Sequence, residues 1–112
     1  MRNFRELTIW KKGIEVTKLV YSFLPELPEF EKFGLQSQII RAAISIPSNI
    51  AEECAKSSNK DFKRYLQISL GPAYELETQL IIINENYGLD TSQAINRIQE
   101  IEKMIVSFIN KI

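Results

Sequence analysis

Residues 41–58 read RAAISIPSNIAEECAKSS, and their reading decides how many helices the chain has. Ala42, Ile46 and Ile50 recur at helical spacing, continuing from Leu35 and Ile39 and followed by Cys54. Yet Pro47 stands in the middle, with Ser45, Ser48 and Asn49 around it. Proline has no N–H to give the carbonyl of Ala43, and inside a helix it costs about 3 kcal/mol or more. A loop at this point would normally lose the phase of the apolar stripe, and the stripe keeps it. The spacing therefore predicts one helix from about Glu31 to Lys56, kinked near Pro47, with a break and a new start capped by Ser48 or Asn49 as the alternative.

Outward from this segment the same period recurs. After the SSNKD turn, with Ser58 or Asn59 as cap, Phe62, Leu66, Ser69, Ala73, Leu76, Leu80, Ile83 and Tyr87 step alternately by four and three, a sustained heptad stripe. It crosses Gly71-Pro72 without losing phase, which predicts a second kink near Pro72, and Gly88 marks its end. Upstream, Leu7, Trp10, Ile14, Thr17, Tyr21 and Leu24 line one face of a helix from about Arg5 to Leu24, ended by Pro25 and Pro28. A last helix starts near Asp90 or Thr91 and buries Ile95, Ile98, Ile101, Ile105, Phe108 and Ile112. Four amphipathic helices on short connections predict an all-α fold, an antiparallel up-down-up-down four-helix bundle, as a single domain over residues 1–112.

Composition narrows the chemistry. The 112 residues include no histidine and one cysteine, which rules out a Ser-His-Asp triad, a Cys-His pair, the usual zinc ligands and the Glu-x-x-His pairs of a di-iron bundle. No glycine-rich phosphate loop occurs, and no cofactor is called for. The charged N-terminus and the lack of a long apolar run predict a cytoplasmic protein with no membrane role.

Two features point to partners. The first helix carries a second apolar face, Ile9, Val16, Leu19, Val20 and Phe23, more than a surface helix needs. This predicts a homo-oligomer with Ile9, Val16, Val20 and Phe23 at the subunit contact, the alternative being that this helix is central in its own bundle. The small and polar residues around the two prolines are either close packing at paired kinks or a polar patch for a partner.

Charge is the second feature. The chain carries 14 basic and 14 acidic residues, but the up-down topology sorts them. One end collects ten cations against four carboxylates, the other four cations against ten. The basic end centres on the turn near residue 58, where Lys56, Lys60, Lys63 and Arg64, with Lys11 and Lys12, are the expected contacts for RNA or DNA phosphates. The alternative is an ordinary solvated helix start. Aromatic interleaving is sparse, so base stacking is not indicated.

The combination R-A-A-x-S-I-P-S-N-I-A-E, then F-x-x-[FY]-L-x-I, then E-L-E-T-Q-L, between Arg41 and Leu80, resembles the family of bacterial four-helix bundle proteins that includes the 23S rRNA intervening-sequence proteins. The accessory variability protein of diversity-generating retroelements is a relative. By position, Arg41, Ser45, Pro47, Asn49 and Glu52 match the motif's polar and kink residues, and Phe62, Leu66 and Leu76 its packing residues. The resemblance implies the bundle and, in several members, a five-fold ring. For the retroelement relative it implies binding to a reverse transcriptase and to nucleic acid. Glu53 departs from the family's glycine, Lys56 from its frequent arginine and Pro72 from its serine. The leading expectation is a non-enzymatic oligomeric module that binds nucleic acid or a nucleic-acid enzyme through its basic end. A protein-only scaffold is the alternative, and an enzyme built on Glu52, Glu75 or Glu77 the weakest reading.

Overall fold

Pro47 and Pro72 both lie inside unbroken helices. A computed structural model describes residues 2–55 and 58–111, with Asn59 described by its backbone alone. It contains α1 (Thr8–Phe23), α2 (Leu35–Glu53), α3 (Asn59–Tyr87) and α4 (Ser92–Lys111), and no strand occurs among the described residues. Pro47 is inside α2 and Pro72 inside α3, so the break-and-restart alternative falls away. Each helix packs against its sequence neighbours and α1 closes the ring on α4, giving a bundle of 44 × 21 × 20 Å.

The Ala43 carbonyl, which Pro47 cannot serve, finds a donor on α1. The Thr17 hydroxyl donates to Gly13 O at 2.8 Å and reaches Ala43 O at 3.3 Å. Gly13 makes room beside it: a Cβ there would sit 3.2 Å from Pro47 Cβ and 3.3 Å from Cδ. The proline ring thus occupies the space of an absent side chain, and α1 and α2 approach closely at this level. Ser45 turns its hydroxyl back to Ala42 O at 2.8 Å, as serine commonly does inside helices.

Helix ends follow local chemistry. Asn3 caps a 3₁₀ turn at Phe4–Glu6, and Leu7 is extended, so α1 begins at Thr8 rather than Arg5. Pro25 leads the chain into a 3₁₀ turn at Leu24–Glu26, a second follows at Glu29–Glu31, and α2 starts at Leu35 rather than Glu31. The Ser58 hydroxyl accepts from Asp61 N at 3.1 Å and caps α3. Gly88, at φ 64°, closes α3 in the left-handed conformation glycine favours. Thr91 O takes the Ile95 N–H at 2.9 Å, and its buried hydroxyl ties the α4 start to Leu80 O at 2.8 Å. No described helix is long and apolar enough to cross a membrane.

The core is the set of inward stripes. On α3, Phe62, Leu66, Ser69, Ala73, Leu76, Leu80 and Ile83 are all buried, as their heptad spacing requires. Ile98, Ile101 and Ile105 do the same on α4, while Ile112 lies outside the described residues. On α1 the expected faces are exchanged. Ile9, Val16, Val20 and Phe23, expected at a subunit contact, are buried in the chain's own core. Trp10, Ile14 and Thr17 are only half-buried, and Tyr21 is exposed. Two apolar faces of equal period cannot be ranked by hydrophobicity, and the contact with α2 decided between them: Gly13 lies in the Ile9/Val16/Val20 stripe and admits Pro47.

Candidate functional site

The basic end is assembled from three pieces of chain. The first turns of α3 carry Lys60 and Arg64, both exposed, and Lys63, half-buried. None of the three forms an ion pair among the described residues. The N-terminal segment folds back over this end: Arg2 N–H donates to Cys54 O at 3.2 Å, and the Arg2 guanidinium lies 4.0 Å from the Phe62 ring centre. Phe4 packs edge-on against Trp10 at 5.2 Å and carries Arg5 above its own ring at 4.4 Å. The end of α4 adds Lys103 and Lys111, both exposed, and Phe108 locks it to α3 through an edge-on contact with Phe62 at 6.0 Å.

Two of the expected contacts fall elsewhere. Lys56 lies outside the described residues. Lys12 is drawn away from the basic cluster, its Nζ 2.8 Å from Glu100 Oε2. Glu100 and Glu15 also hold Arg97, at 2.9 and 2.8 Å, so these four charges lace α1 to α4 midway along the bundle. Lys11 is exposed on the outer side of α1. Of the motif residues, Arg41 and Glu52 are exposed, Ser45 and Asn49 half-buried and Pro47 buried.

Two apolar faces remain open on opposite sides of the ring of helices. Between α1 and α2 a cleft of about 290 Å³ is lined by Trp10, Ile14, Thr17, Ile44, Pro47, Ser48 and Ala51. Ile44 is 42 % exposed, and Tyr21 extends the strip at 49 %. Between α3 and α4, Tyr74 and Val106, 51 % and 40 % exposed, line a cleft of about 560 Å³ together with Glu102, Lys103, Ser107, Asn110 and Lys111.

Glu52 is exposed at the end of α2, Glu75 accepts from Gln79 on its own helix at 3.2 Å, and Glu77 accepts from Gln99 at 3.1 Å. Two other glutamates are unusual. Glu53 is wholly buried; the Ser69 hydroxyl donates to its Oε1 at 3.2 Å, and its Oε2 has no hydrogen-bond partner. Burial pushes this carboxyl up to about 8, with the Ser69 bond opposing and the Glu52 charge adding to the rise, so it stays neutral at pH 7. Glu102 is likewise raised to about 8, first by burial and then by its contact with Glu77, whose own carboxyl is lowered by the same hydrogen bond. The pair shares one proton, held on Glu102. Cys54 is buried beside Glu53, and burial pushes its thiol up, which makes it a packing residue.

The sequence matches the family model for the 23S rRNA-intervening sequence protein over residues 5–107. The chain belongs to that family. A crystal structure described as a protein of unknown function from the S23 ribosomal protein family of Bacteroides thetaiotaomicron is similar to this intervening-sequence family chain, with 30 % identity and a TM-score of 0.78. The alignment covers 91 % of this chain and 98 % of that one. A comparison with curated proteins finds no match. Pro47 of the family motif packs against Gly13 of α1, and Glu53 brings a buried acid to the position where α2 ends.

Proposed function

We propose that this family member is a non-enzymatic, self-associating module whose basic end contacts nucleic-acid phosphates. The observation that carries the reading is the set of cations at the start of α3, exposed Lys60 and Arg64 with half-buried Lys63 beside them, and no carboxylate paired to any of the three among the described residues. Unpaired cations gathered at one end attract a polyanion over about 8–10 Å at physiological salt and release its counterions on contact. Charge reversal at Lys60, Lys63 and Arg64 together abolishes binding to structured RNA and to duplex DNA on this reading while leaving particle mass unchanged. Retained binding by that variant would refute it.

The two open faces support self-association, in place of the contact first expected at Ile9, Val16, Val20 and Phe23. They are unlike each other and lie on opposite sides of the bundle, so one copy's α1/α2 strip meets the next copy's α3/α4 strip. Such a head-to-tail contact closes into a ring when the rotation allows. Side-by-side copies place all basic ends on one rim, and the five-fold ring implied by the family resemblance has this form. A variant with Trp10→Glu and Ile44→Glu and another with Tyr74→Glu and Val106→Glu are each monomeric on this account. Mixed, they pair through the one intact contact and give dimers only. If either variant kept the parent's mass, the assignment of faces would be wrong.

A further inference from the structure

The connection between α1 and α2 sits at the acidic end and carries the chain's two most exposed large apolar side chains among the described residues, Phe30 at 77 % and Phe33 at 89 %. The turn that holds them is anchored on two sides. Glu31 Oε2 accepts from the Tyr87 hydroxyl at 2.5 Å at the end of α3, and its Oε1 accepts from Leu35 N at 3.3 Å at the start of α2. Successive backbone bonds, Glu31 N to Pro28 O at 2.9 Å and Gly34 N to Glu31 O at 3.1 Å, fix the turn itself. Leu24 and Leu27 beneath it are buried. The two rings are therefore presented outward by a fixed support, a geometry that lowers the ordering cost of a contact.

The surroundings define what fits there. The same connection borders a cleft of about 390 Å³, lined by Tyr21, Leu24, Pro25, Leu27 and Ile40 and rimmed by Glu29 and Lys32, of which neither ring is part. Glu26, Glu29, Glu85 and Asp90 are exposed at this end, where Lys32 is the exposed cation of the turn itself and Lys18 and Arg41 are exposed farther along their helices. The Lys32 ammonium rests 5.7 Å from the Phe33 ring centre, so that ring face already receives a cation, as aromatic faces do. Acidic groups around apolar rings repel anionic lipid headgroups and nucleic acid alike. Two like-charged tips also repel each other, which disfavours a contact between copies through this end.

We infer that the Phe30/Phe33 turn is a docking site for a basic amphipathic segment of another protein, its apolar side chains meeting the rings and the cleft, its lysines or arginines meeting Glu26, Glu29 and the ring faces. The site is at the opposite end from the cations assigned to nucleic acid, and it does not depend on that assignment.

The test uses the full chain, a fluorescent leucine-lysine amphipathic peptide, a leucine-glutamate counterpart and anionic vesicles. The variant Phe30→Ser/Phe33→Ser folds normally because neither ring is in the core. The lysine peptide binds the parent, binds the variant about ten-fold or more weaker, a change of about 1.4 kcal/mol, and is released by high salt, while the glutamate peptide does not bind. Charge reversal at Lys60, Lys63 and Arg64 leaves peptide binding unchanged. No binding of the lysine peptide, equal binding by the double variant, or equal binding of the glutamate peptide overturns the proposal. A fall in particle mass in the double variant reassigns the rings to a second copy, and vesicle binding lost in that variant reassigns them to a membrane surface; either result also overturns it.

Discussion

Replacing Glu53 by glutamine leaves stability in acid unchanged and removes a loss of stability that grows as pH rises. In the folded chain the carboxyl holds its proton up to about 8, against an ordinary value of 4.5. Below 4.5 the folded and unfolded chains are both protonated there, and the buried acid carries no pH-linked penalty. As pH rises from 4.5 to 8 the unfolded chain releases the proton and the folded chain does not, so stability falls with pH across that window. At 1.36 kcal/mol per pH unit the loss reaches about 3 kcal/mol at pH 7 and about 5 kcal/mol from pH 8 upward. Local relaxation or water entry around the ionised group lowers this figure, so about 5 kcal/mol is a ceiling. Glutamine has the same shape and never ionises. Urea unfolding of the parent and of Glu53→Gln at pH values from 4 to 9 gives curves that meet in acid and diverge above 4.5, the variant becoming the more stable. Glu102 titrates in both chains and cancels in the difference. Parallel curves would refute the account of Glu53 as a neutral, buried acid.

Other consequences follow from single contacts. Burial and Glu77 raise the Glu102 carboxyl to about 8, so a carbon-13 titration of glutamate carboxyls is expected to find its midpoint there; Glu77→Gln is expected to lower it by removing the neighbouring charge, and an unchanged midpoint contradicts the shared proton. Thr17→Val removes the hydroxyl that serves the Gly13 and Ala43 carbonyls and costs about 1 kcal/mol in urea unfolding, while Thr17→Ser retains most of it. Gly13→Val drives a side chain into the Pro47 ring and costs about 1–3 kcal/mol as overpacking. Leu76→Ala, at a wholly buried position, costs about 2–5 kcal/mol. A loss under about 1 kcal/mol at Leu76 would mean that the α3 stripe is not the core.

The fold was legible wherever one apolar period stood alone. The α3 stripe from Phe62 to Ile83 has no competing face, and every one of its positions is buried. On α1 two apolar faces share the same period, and side-chain hydrophobicity measures neither depth nor order. The usable signal was steric: Gly13 falls in the stripe of Ile9, Val16 and Val20, and a glycine inside a helix face marks where another backbone or a proline ring comes close. The ring order of the helices explains why the basic end could be placed from sequence, since short connections force neighbours to be antiparallel. Lys12 could not be placed, because its carboxylate partner is 88 residues away.

Glu53 follows Ile46 and Ile50 at steps of four and three, so it continues the buried stripe of α2. The apolar reading of the stripe passes from Ile50 to Cys54 and leaves this charged position out. Phe30 and Phe33 carry no period, because they lie in a turn, and only the folded connection reveals that both rings face outward.

Fluorescence anisotropy of structured RNA and duplex DNA with the nuclease-treated protein, across a salt series, tests the basic end most directly. Phosphate contacts make the logarithm of the association constant fall linearly with the logarithm of salt, with a slope near −0.9 per contact on duplex DNA. Micromolar or tighter binding at low salt is expected, with a steep salt slope, and it is lost when Lys60, Lys63 and Arg64 are reversed. No binding at low salt, or binding whose strength is indifferent to salt, would contradict the claim that this end holds phosphates.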